Sequence, residues 1–253
     1  MKAMQKGITF ALMVFLVACA NPQKAERKVR THEAVQNRVA AGMEYLHQGQ
    51  LNEARQHFSR ALERDPSSPV AHNAMALLYK FEGDPEREEH HYKRALRLDK
   101  SYTAARNNYG ILLYQRGEYE AAKREFEQAA NDPKYGARAG AFENLARSQM
   151  ALGEYEEAIS SFQRALRLGQ PESSILPALV QAYLENDQPR EAVSYYEQYL
   201  QQSQGEPSTP AALWLAIRMA HYQGQSALQQ RYEQRLQQFP NSDEYHAWQA
   251  WRN

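Results

Sequence analysis

Small, aromatic and charged residues recur along this chain in one fixed order. Three segments align without gaps: YLHQGQLNEARQHFSRALERDPSS, YKFEGDPEREEHHYKRALRLDKSY and LYQRGEYEAAKREFEQAANDPKYG. Their glycines Gly49, Gly83 and Gly117 lie 34 residues apart. A fourth copy places Gly153 after 36 residues, which predicts a two-residue insertion near residues 131–138. Each copy predicts two antiparallel helices joined by a short turn.

Two kinds of apolar position recur within the copies. Small residues stand where the two helices of one copy must cross, and one aromatic residue per copy fills the space between neighbouring copies. The small positions are Gly42, Ala76, Gly110 and Ala146 in the first helix and Ala54, Ala122, Ala158 and Ala192 in the second. The aromatic positions are Phe58, Tyr92, Phe126, Phe162 and Tyr196. Glu88 occupies a small position in the second copy and departs from the pattern.

The period and these positions resemble the tetratricopeptide repeat. We therefore expect an all-α fold, a right-handed α-solenoid of about six repeats in which each repeat is buried only by its neighbours. The predicted repeats span residues 35–68, 69–102, 103–138, 139–172, 173–208 and 209–241. Residues 242–253 carry Tyr245, Trp248 and Trp251 at helical spacing and predict a capping helix, with a partner site as the alternative.

The N-terminal sequence predicts an export signal. Lys2 and Lys6 precede an apolar run over residues 8–17, which is too short to cross a bilayer and has the length of a signal-peptide core. The run ends Leu-Val-Ala-Cys, which resembles the bacterial lipobox, and this implies cleavage before Cys19 and acylation of that cysteine. Ala20 follows in place of Asp, which in Gram-negative lipoproteins implies transfer to the outer membrane. An ordinary signal peptide with a chance cysteine is the alternative.

The predicted domains are therefore a signal peptide over residues 1–18, a lipidated flexible tether over 19–33 and a repeat domain over 34–253. Basic residues of the tether can touch anionic headgroups, although a solvated linker explains them equally simply. The whole chain has 30 basic and 30 acidic residues, so it lacks the basic field that nucleic-acid binding requires. We expect no nucleic-acid partner.

Motifs for catalysis or cofactors are missing from the sequence. There is no Gly-rich phosphate loop, nucleophile elbow or His-Glu-x-x-His helix. The densest polar cluster includes His90 and His91, but adjacent helical residues point about 100° apart and fit one metal ion poorly. We expect no metal, no cofactor, no small-molecule substrate and no enzymatic activity.

The concave face of the solenoid is the predicted partner-binding groove. In this repeat family, positions 2, 5, 9, 12 and 13 of each first helix line that face. We predict binding by apolar and amide side chains, which suit an amphipathic helix or an extended peptide. The predicted groove residues are Met43, Leu46, Asn73, Leu77, Phe81, Asn107, Ile111, Tyr114 and Met150. Phe81 and Tyr114 are the expected anchors, and packing between neighbouring first helices is the alternative role at any single position.

The third and fourth repeats carry a more specific resemblance. The runs NNYG (residues 107–110), GEYEAA (117–122) and FENL (142–145), with the closing FP at 239–240, resemble the type IV pilus biogenesis lipoproteins, the PilF/PilW-type pilotins. This resemblance implies an outer-membrane lipoprotein facing the periplasm. It also implies that the chain binds the pilus secretin subunit and promotes its localisation and multimerisation, in support of twitching. The alternative is a generic envelope adaptor that presents a cell-wall enzyme or an outer-membrane assembly partner.

Overall fold

The computed structural model describes residues 22–203 and 206–252. Those residues form thirteen helices and no strand, so the predicted all-α fold is confirmed. The helices are α1 Pro22–His47, α2 Leu51–Arg64, α3 Pro69–Glu82, α4 Pro85–Leu98, α5 Thr103–Gln115, α6 Tyr119–Ala130, α7 Arg138–Leu152, α8 Tyr155–Arg167, α9 Glu172–Glu185, α10 Pro189–Gln202, α11 Pro210–Tyr222, α12 Ser226–Leu236 and α13 Asp243–Arg252.

Odd- and even-numbered helices pair into successive antiparallel hairpins, six in all before α13. Each hairpin packs on the next one along the chain, which produces a solenoid. The tight turns require a left-handed residue, and Gly83 supplies it with φ 70°. Asp187 takes the same place in the fifth repeat at φ 54°, a conformation that short polar side chains tolerate better than other non-glycine residues. The predicted insertion falls in the connection between α6 and α7.

The first helix is longer than the sequence pattern predicts. From Pro22 onward, the residues assigned to a flexible tether are the first turns of α1. Pro22 is favourable at a helix start, and Glu26 pairs with Arg30 one turn later at 2.6 Å. Lys, Arg, Glu and Ala are also good helix formers, so this polar segment is helical without an apolar face of its own. Cys19 and the predicted signal peptide lie outside the described residues.

The small and aromatic positions meet as predicted. Phe58, Phe126 and Phe162 are at most 1% exposed, and each fills the space beneath a helix crossing. A Cβ atom built on Gly110 would lie 2.7 Å from Cε1 of Phe126, closer than real Cβ contacts allow. A Cβ atom built on Gly42 would clash with the ring of Phe58 in the same way. The aromatic ring therefore occupies the volume that a side chain on the crossing helix would need.

Glu88, the departure from the small-residue pattern, is buried in the structure at 4% exposure. Burial raises the pKa of its carboxyl, and the positive charges of Lys80 and Arg116 offset only part of that shift. Burial also raises the pKa of the Tyr92 hydroxyl, and the neighbouring Glu88 carboxylate raises it further. A carboxyl side chain and an aromatic ring thus share a space that Ala and an aromatic share in other repeats.

His91 does not pair with His90 for metal binding but turns towards His72 on the partner helix. The two Nδ1 atoms lie 3.0 Å apart, and Nε2 of His72 lies 3.1 Å from the carbonyl oxygen of Pro66. Because a carbonyl can only accept, Nε2 of His72 carries the proton and its Nδ1 accepts a hydrogen bond from Nδ1 of His91. Burial, followed by the neighbouring His72 and His90, lowers the pKa of His91 to about 4.

We expect Gly110→Ala to destabilise the protein by about 1–3 kcal/mol, because the new methyl group must displace the Phe126 ring. Gly140→Ala is the matched control, since nothing lies within 4 Å of a Cβ atom there. The control should be neutral or stabilising by up to about 1 kcal/mol, because alanine favours helix. Urea unfolding of the three proteins measures both effects. Equal stability of the Gly110 variant and the wild type would contradict the crossing geometry.

We expect acid to weaken the fold between about pH 6.5 and pH 4 through His91. Its pKa is lower in the folded chain than in the unfolded chain, so the unfolded state binds the proton first and stability falls as the pH falls. The raised pKa of Glu88 acts with the opposite sign. The measurement therefore compares the drop in melting temperature between pH 7 and pH 4.5 in two proteins. This drop should be smaller for His91→Gln than for the wild type. A change at the exposed His246 should keep the wild-type response, and identical responses of all three proteins would contradict the assignment.

Candidate partner-binding groove

Two adjacent cavities run along the first helices of the fourth, fifth and sixth repeats. Their volumes are about 320 Å³ and 370 Å³. Both are lined by Arg147 on α7 and by Ala178 and Gln181 on α9, so they form one continuous depression, here called the C-terminal groove. The first cavity adds Tyr114, Met150, Ala151, Tyr155, Phe162 and Glu185. The second adds Ser174, Pro177, Tyr199, Thr209, Ala211, Ala212, Trp214, Leu215, Arg218 and Glu244.

The predicted groove residues end in the fourth repeat, but the positions that line the concave face also line the groove in the fifth and sixth repeats. Positions 2, 5 and 9 of the fifth repeat are Ser174, Pro177 and Gln181, and all three line the second cavity. When the sixth repeat is aligned on its turn glycine, Gly224, it begins at Pro210, one residue after the predicted start. Its positions 2, 5 and 9 are then Ala211, Trp214 and Arg218, and they line the second cavity as well. Sequence reasoning missed these residues because it stopped at the fourth repeat, where the match to the repeat pattern begins to degrade.

The structure brings only some of the predicted groove residues together. Tyr114 and Met150 line the first cavity, and the Tyr114 ring packs against Tyr119 with centroids 5.2 Å apart. Leu46 is 1% exposed and belongs to the core, so it offers no surface to a partner. Phe81 is 58% exposed at the end of α3 and lies outside both cavities. Three further predicted residues are half-buried against the core, namely Met43, Leu77 and Ile111.

The two predicted amides act within the solenoid. Asn73 accepts a hydrogen bond from Nδ2 of Asn108 at 3.0 Å, and Asn107 accepts one from Nδ2 of Asn144 at 3.3 Å. Asn73 and Asn107 are 8% and 9% exposed. These bonds form an asparagine ladder that joins α3 to α5 and α5 to α7. The side-chain oxygen atoms of both predicted binding amides therefore already accept hydrogen bonds from neighbouring repeats.

The two arginines that line the C-terminal groove are paired with carboxylates. Arg147 donates to Oε1 of Glu143 through Nη2 at 2.7 Å, and Gln170 donates to the other carboxylate oxygen. Arg218 contacts Glu185 at 2.6 Å and lies across the face of Trp214. Because each arginine has a carboxylate partner, the groove has no strong net field and presents its apolar and amide surface to a ligand.

The C-terminal helix both closes the core and borders the groove. Trp248 is 2% exposed and packs on the end of the core, so the predicted capping role is seen in the structure. Trp251 is 41% exposed, and its ring meets Trp214 edge-on with centroids 5.6 Å apart. Glu244 contributes to the lining of the second cavity. The capping helix thus packs against Trp214, an aromatic residue of the groove lining.

Two further searches apply to the described residues only. None of their helices combines the length and apolar character needed to cross a membrane. Within the same part of the chain, no three His, Cys, Asp or Glu side chains gather in a way that could hold a metal ion.

A solenoid of helical hairpins with a concave groove defines a repeat scaffold, and the comparison with protein families agrees. A model described as "Tetratricopeptide repeat" matches residues 73–136 and 178–243, which together make up about half of the chain. A second model of that description matches residues 141–174, and a "TPR repeat" model matches residues 42–81. The chain belongs to the tetratricopeptide-repeat family.

Within that family, the chain resembles type IV pilus proteins. It is 29% identical over 250 residues to the type IV pilus assembly protein PilF of Pseudomonas aeruginosa, covering 96% of this chain and 97% of that protein. The solved structure of Pseudomonas aeruginosa PilF matches with a TM-score of 0.74 at 29% identity over 87% of this chain and 98% of that one. The predicted resemblance is confirmed, and the chain is a PilF-like tetratricopeptide-repeat protein.

Two further solved structures share the fold. The crystal structure of PilW, described as a widely conserved type IV pilus biogenesis factor, has a TM-score of 0.69 at 22% identity and covers 84% of this chain and 97% of that one. A crystal structure of MamA has a TM-score of 0.57 at 19% identity and covers 68% and 93% of the two chains. At these identities the likeness concerns architecture only.

Proposed function

We propose that the chain is a non-enzymatic adaptor of type IV pilus assembly, anchored to the outer membrane through acylated Cys19. In this role it binds the pilus secretin subunit and promotes its localisation and multimerisation, which pilus formation and twitching require. The observation that carries the proposal is the likeness to PilF over nearly the whole of both chains. A partial match would support a shared repeat, whereas a match from end to end supports a shared role.

The C-terminal groove is the proposed binding surface. Apolar side chains line it on both sides of one exposed central amide, Gln181. A peptide can bury its side chains against the apolar residues while its backbone forms hydrogen bonds with the amide. Tyr114 and Trp214 stand at opposite ends of the groove and offer aromatic anchors of the kind that dominate interface energies. Of the two expected anchors, Tyr114 is the one we propose for this groove, and Phe81 lies outside it.

The groove is tested by binding measurements with the purified secretin subunit. Tyr114→Ala should weaken binding by about 1–3 kcal/mol, the usual cost of removing an aromatic anchor. Gln181→Arg should weaken it similarly, because a long charged side chain would fill the junction of the two cavities. Leu168→Ala is the control, since Leu168 is 45% exposed and outside the groove. Isothermal calorimetry gives the affinities, and circular dichroism checks that each variant stays helical.

Phe81→Ala distinguishes the two candidate surfaces. If this change weakens binding while Tyr114→Ala and Gln181→Arg do not, the working surface is the N-terminal half and the C-terminal groove is excluded. In cells, loss of secretin multimers at normal protein level is the matching result for the effective variants. Capture of a cell-wall enzyme or of barrel-assembly proteins in place of the secretin would favour the generic adaptor.

Cys19→Ala tests the anchor. Multiple acyl chains hold a protein stably on a membrane, whereas the unacylated chain has no such attachment. We expect the variant to be soluble in the periplasm or to keep its signal sequence uncleaved, with an unchanged fold. Cell fractionation and mass determination of the N-terminus measure the outcome. A variant that still fractionates with the outer membrane would contradict the lipobox assignment.

A further inference from the structure

The start of α1 lies close in sequence to the proposed lipid site. Pro22, its first residue, follows Cys19 by three positions. Three residues of fully extended chain span at most roughly 10 Å. If Cys19 carries acyl chains in the membrane, the first turn of α1 must therefore be held at the headgroup layer. A rigid helix, in place of the expected long tether, then brings the repeats themselves to the surface.

The first turns of α1 are strongly basic. Residues 22–31 contain four basic residues and one acidic residue, Glu26, which gives a net charge of +3 over ten residues. Arg27 and Arg30 share a cavity of about 400 Å³ with Arg64, the last residue of α2. Val29 is 56% exposed beside them and adds an apolar contact. Three guanidinium groups from two helices therefore converge at one end of the solenoid.

The same edge of the solenoid is basic again in the second and fourth repeats, whereas α6 and α10 have no basic residue in their last turn. Helices α2, α4 and α8 end in basic residues, namely Arg64, Arg97, Arg164 and Arg167. The opposite edge, where the same helices begin, carries acidic residues, namely Glu53, Glu86, Glu156 and Glu157. Because the chain runs back and forth between the two edges, these charges separate across the short dimension of the solenoid. They also have the signs that the helix dipoles favour at each end.

Acidic groups at the basic edge do not cancel it. Glu26 pairs with Arg30, and no carboxylate within the described part of the chain forms an ion pair with Arg27 or Arg64. Asp65 accepts a hydrogen bond from the backbone nitrogen of Ser67 at 2.9 Å, and Asp99 accepts one from that of Ser101 at 2.8 Å. These two carboxylates terminate helices α2 and α4 and do not neutralise the arginines by contact.

We propose that this basic edge, formed by Arg27, Lys28, Arg30, Arg64 and Arg97, binds the anionic phospholipid headgroups of the membrane that holds the acyl chains. The proposal rests on acylation of Cys19, part of the proposed function. Charge complementarity and the short distance from Cys19 to α1 select a lipid surface as the occupant. Lipid contact through this edge fixes the orientation of the solenoid, with the acidic edge turned away from the membrane. The C-terminal groove then lies several repeats away from the anchor.

Hydrogen exchange of the mature acylated chain on vesicles tests the proposal. One set of vesicles contains phosphatidylethanolamine and phosphatidylglycerol at three to one, and the other contains only phosphatidylcholine. On the anionic vesicles at 0.05 M salt, amides near Arg27 and Arg64 should exchange at least about threefold more slowly than on the neutral ones. The difference should vanish at 0.5 M salt, where the screening length is a few ångströms.

Two double variants of equal net charge distinguish a specific role of the basic edge from a general effect of charge. Arg27→Gln with Arg64→Gln should abolish the lipid-dependent protection. Arg124→Gln with Arg190→Gln removes the same charge from exposed positions away from this edge and should preserve it. Equal protection in both double variants, or none in the wild type, would overturn the proposal. Equal protection by inorganic phosphate without vesicles would also overturn it, because the arginines would then bind a free anion and would not require a membrane surface.

Flotation at 0.5 M salt reports the anchor independently. If the wild-type chain floats with both kinds of vesicle but exchange does not depend on the lipid, the acyl anchor is present and the basic edge does not bind headgroups. If the chain fails to float at that salt concentration, acylation itself is absent, and the proposed function loses its membrane anchor. The two failures are therefore distinguishable in one preparation.

Discussion

The solenoid depends on one recurring close approach, that of an aromatic ring to a helix crossing formed at a glycine or an alanine. Phe58 beneath Gly42 and Phe126 beneath Gly110 occupy volume that a methyl group would otherwise take. Each ring is shared between the two helices of its own repeat and the first helix of the next, so it sets the spacing of neighbours as well as the angle within a hairpin. Since protein cores are packed as densely as organic crystals, this contact constrains the geometry of each repeat in which it occurs.

The binding surface is a consequence of that stacking. Once the hairpins are held in register, the same five positions of each first helix face one side, and the groove is what remains between them. The structure shows that this surface is not uniform. In the N-terminal half its amides are used by the asparagine ladder and Leu46 is withdrawn into the core, whereas α7, α9 and α11 leave apolar and amide groups open to solvent.

Periodicity predicted the helices and the crossings well because both are local and repeated. The buried positions of Phe126 and Gly110 follow from spacing alone. Two features did not follow from it. Residues 22–33 are helical because of propensity and ion pairing, which leave no apolar pattern in the sequence. Glu88 lies in the core because its repeat accommodates a carboxyl beside Tyr92, an adjustment of one site that a family pattern cannot encode. Likewise, the pairing of Asn107 with Asn144 depends on distances between repeats.

The asparagine ladder also makes the two halves of the solenoid differ in their resistance to force. Its rungs join α3, α5 and α7 and resist sliding of one hairpin over the next, because shear would break directional bonds as well as apolar contacts. Beyond α7 the first helix of the fifth repeat contains Pro177, which cannot donate a backbone hydrogen bond within that helix. A pulling force applied between the two ends would therefore strain α9 at Pro177 before the ladder, while the ion pair of Arg218 with Glu185 still joins α9 to α11. The ladder thus stiffens the N-terminal half of the solenoid, and the helix that proline weakens, α9, forms a wall of the C-terminal groove.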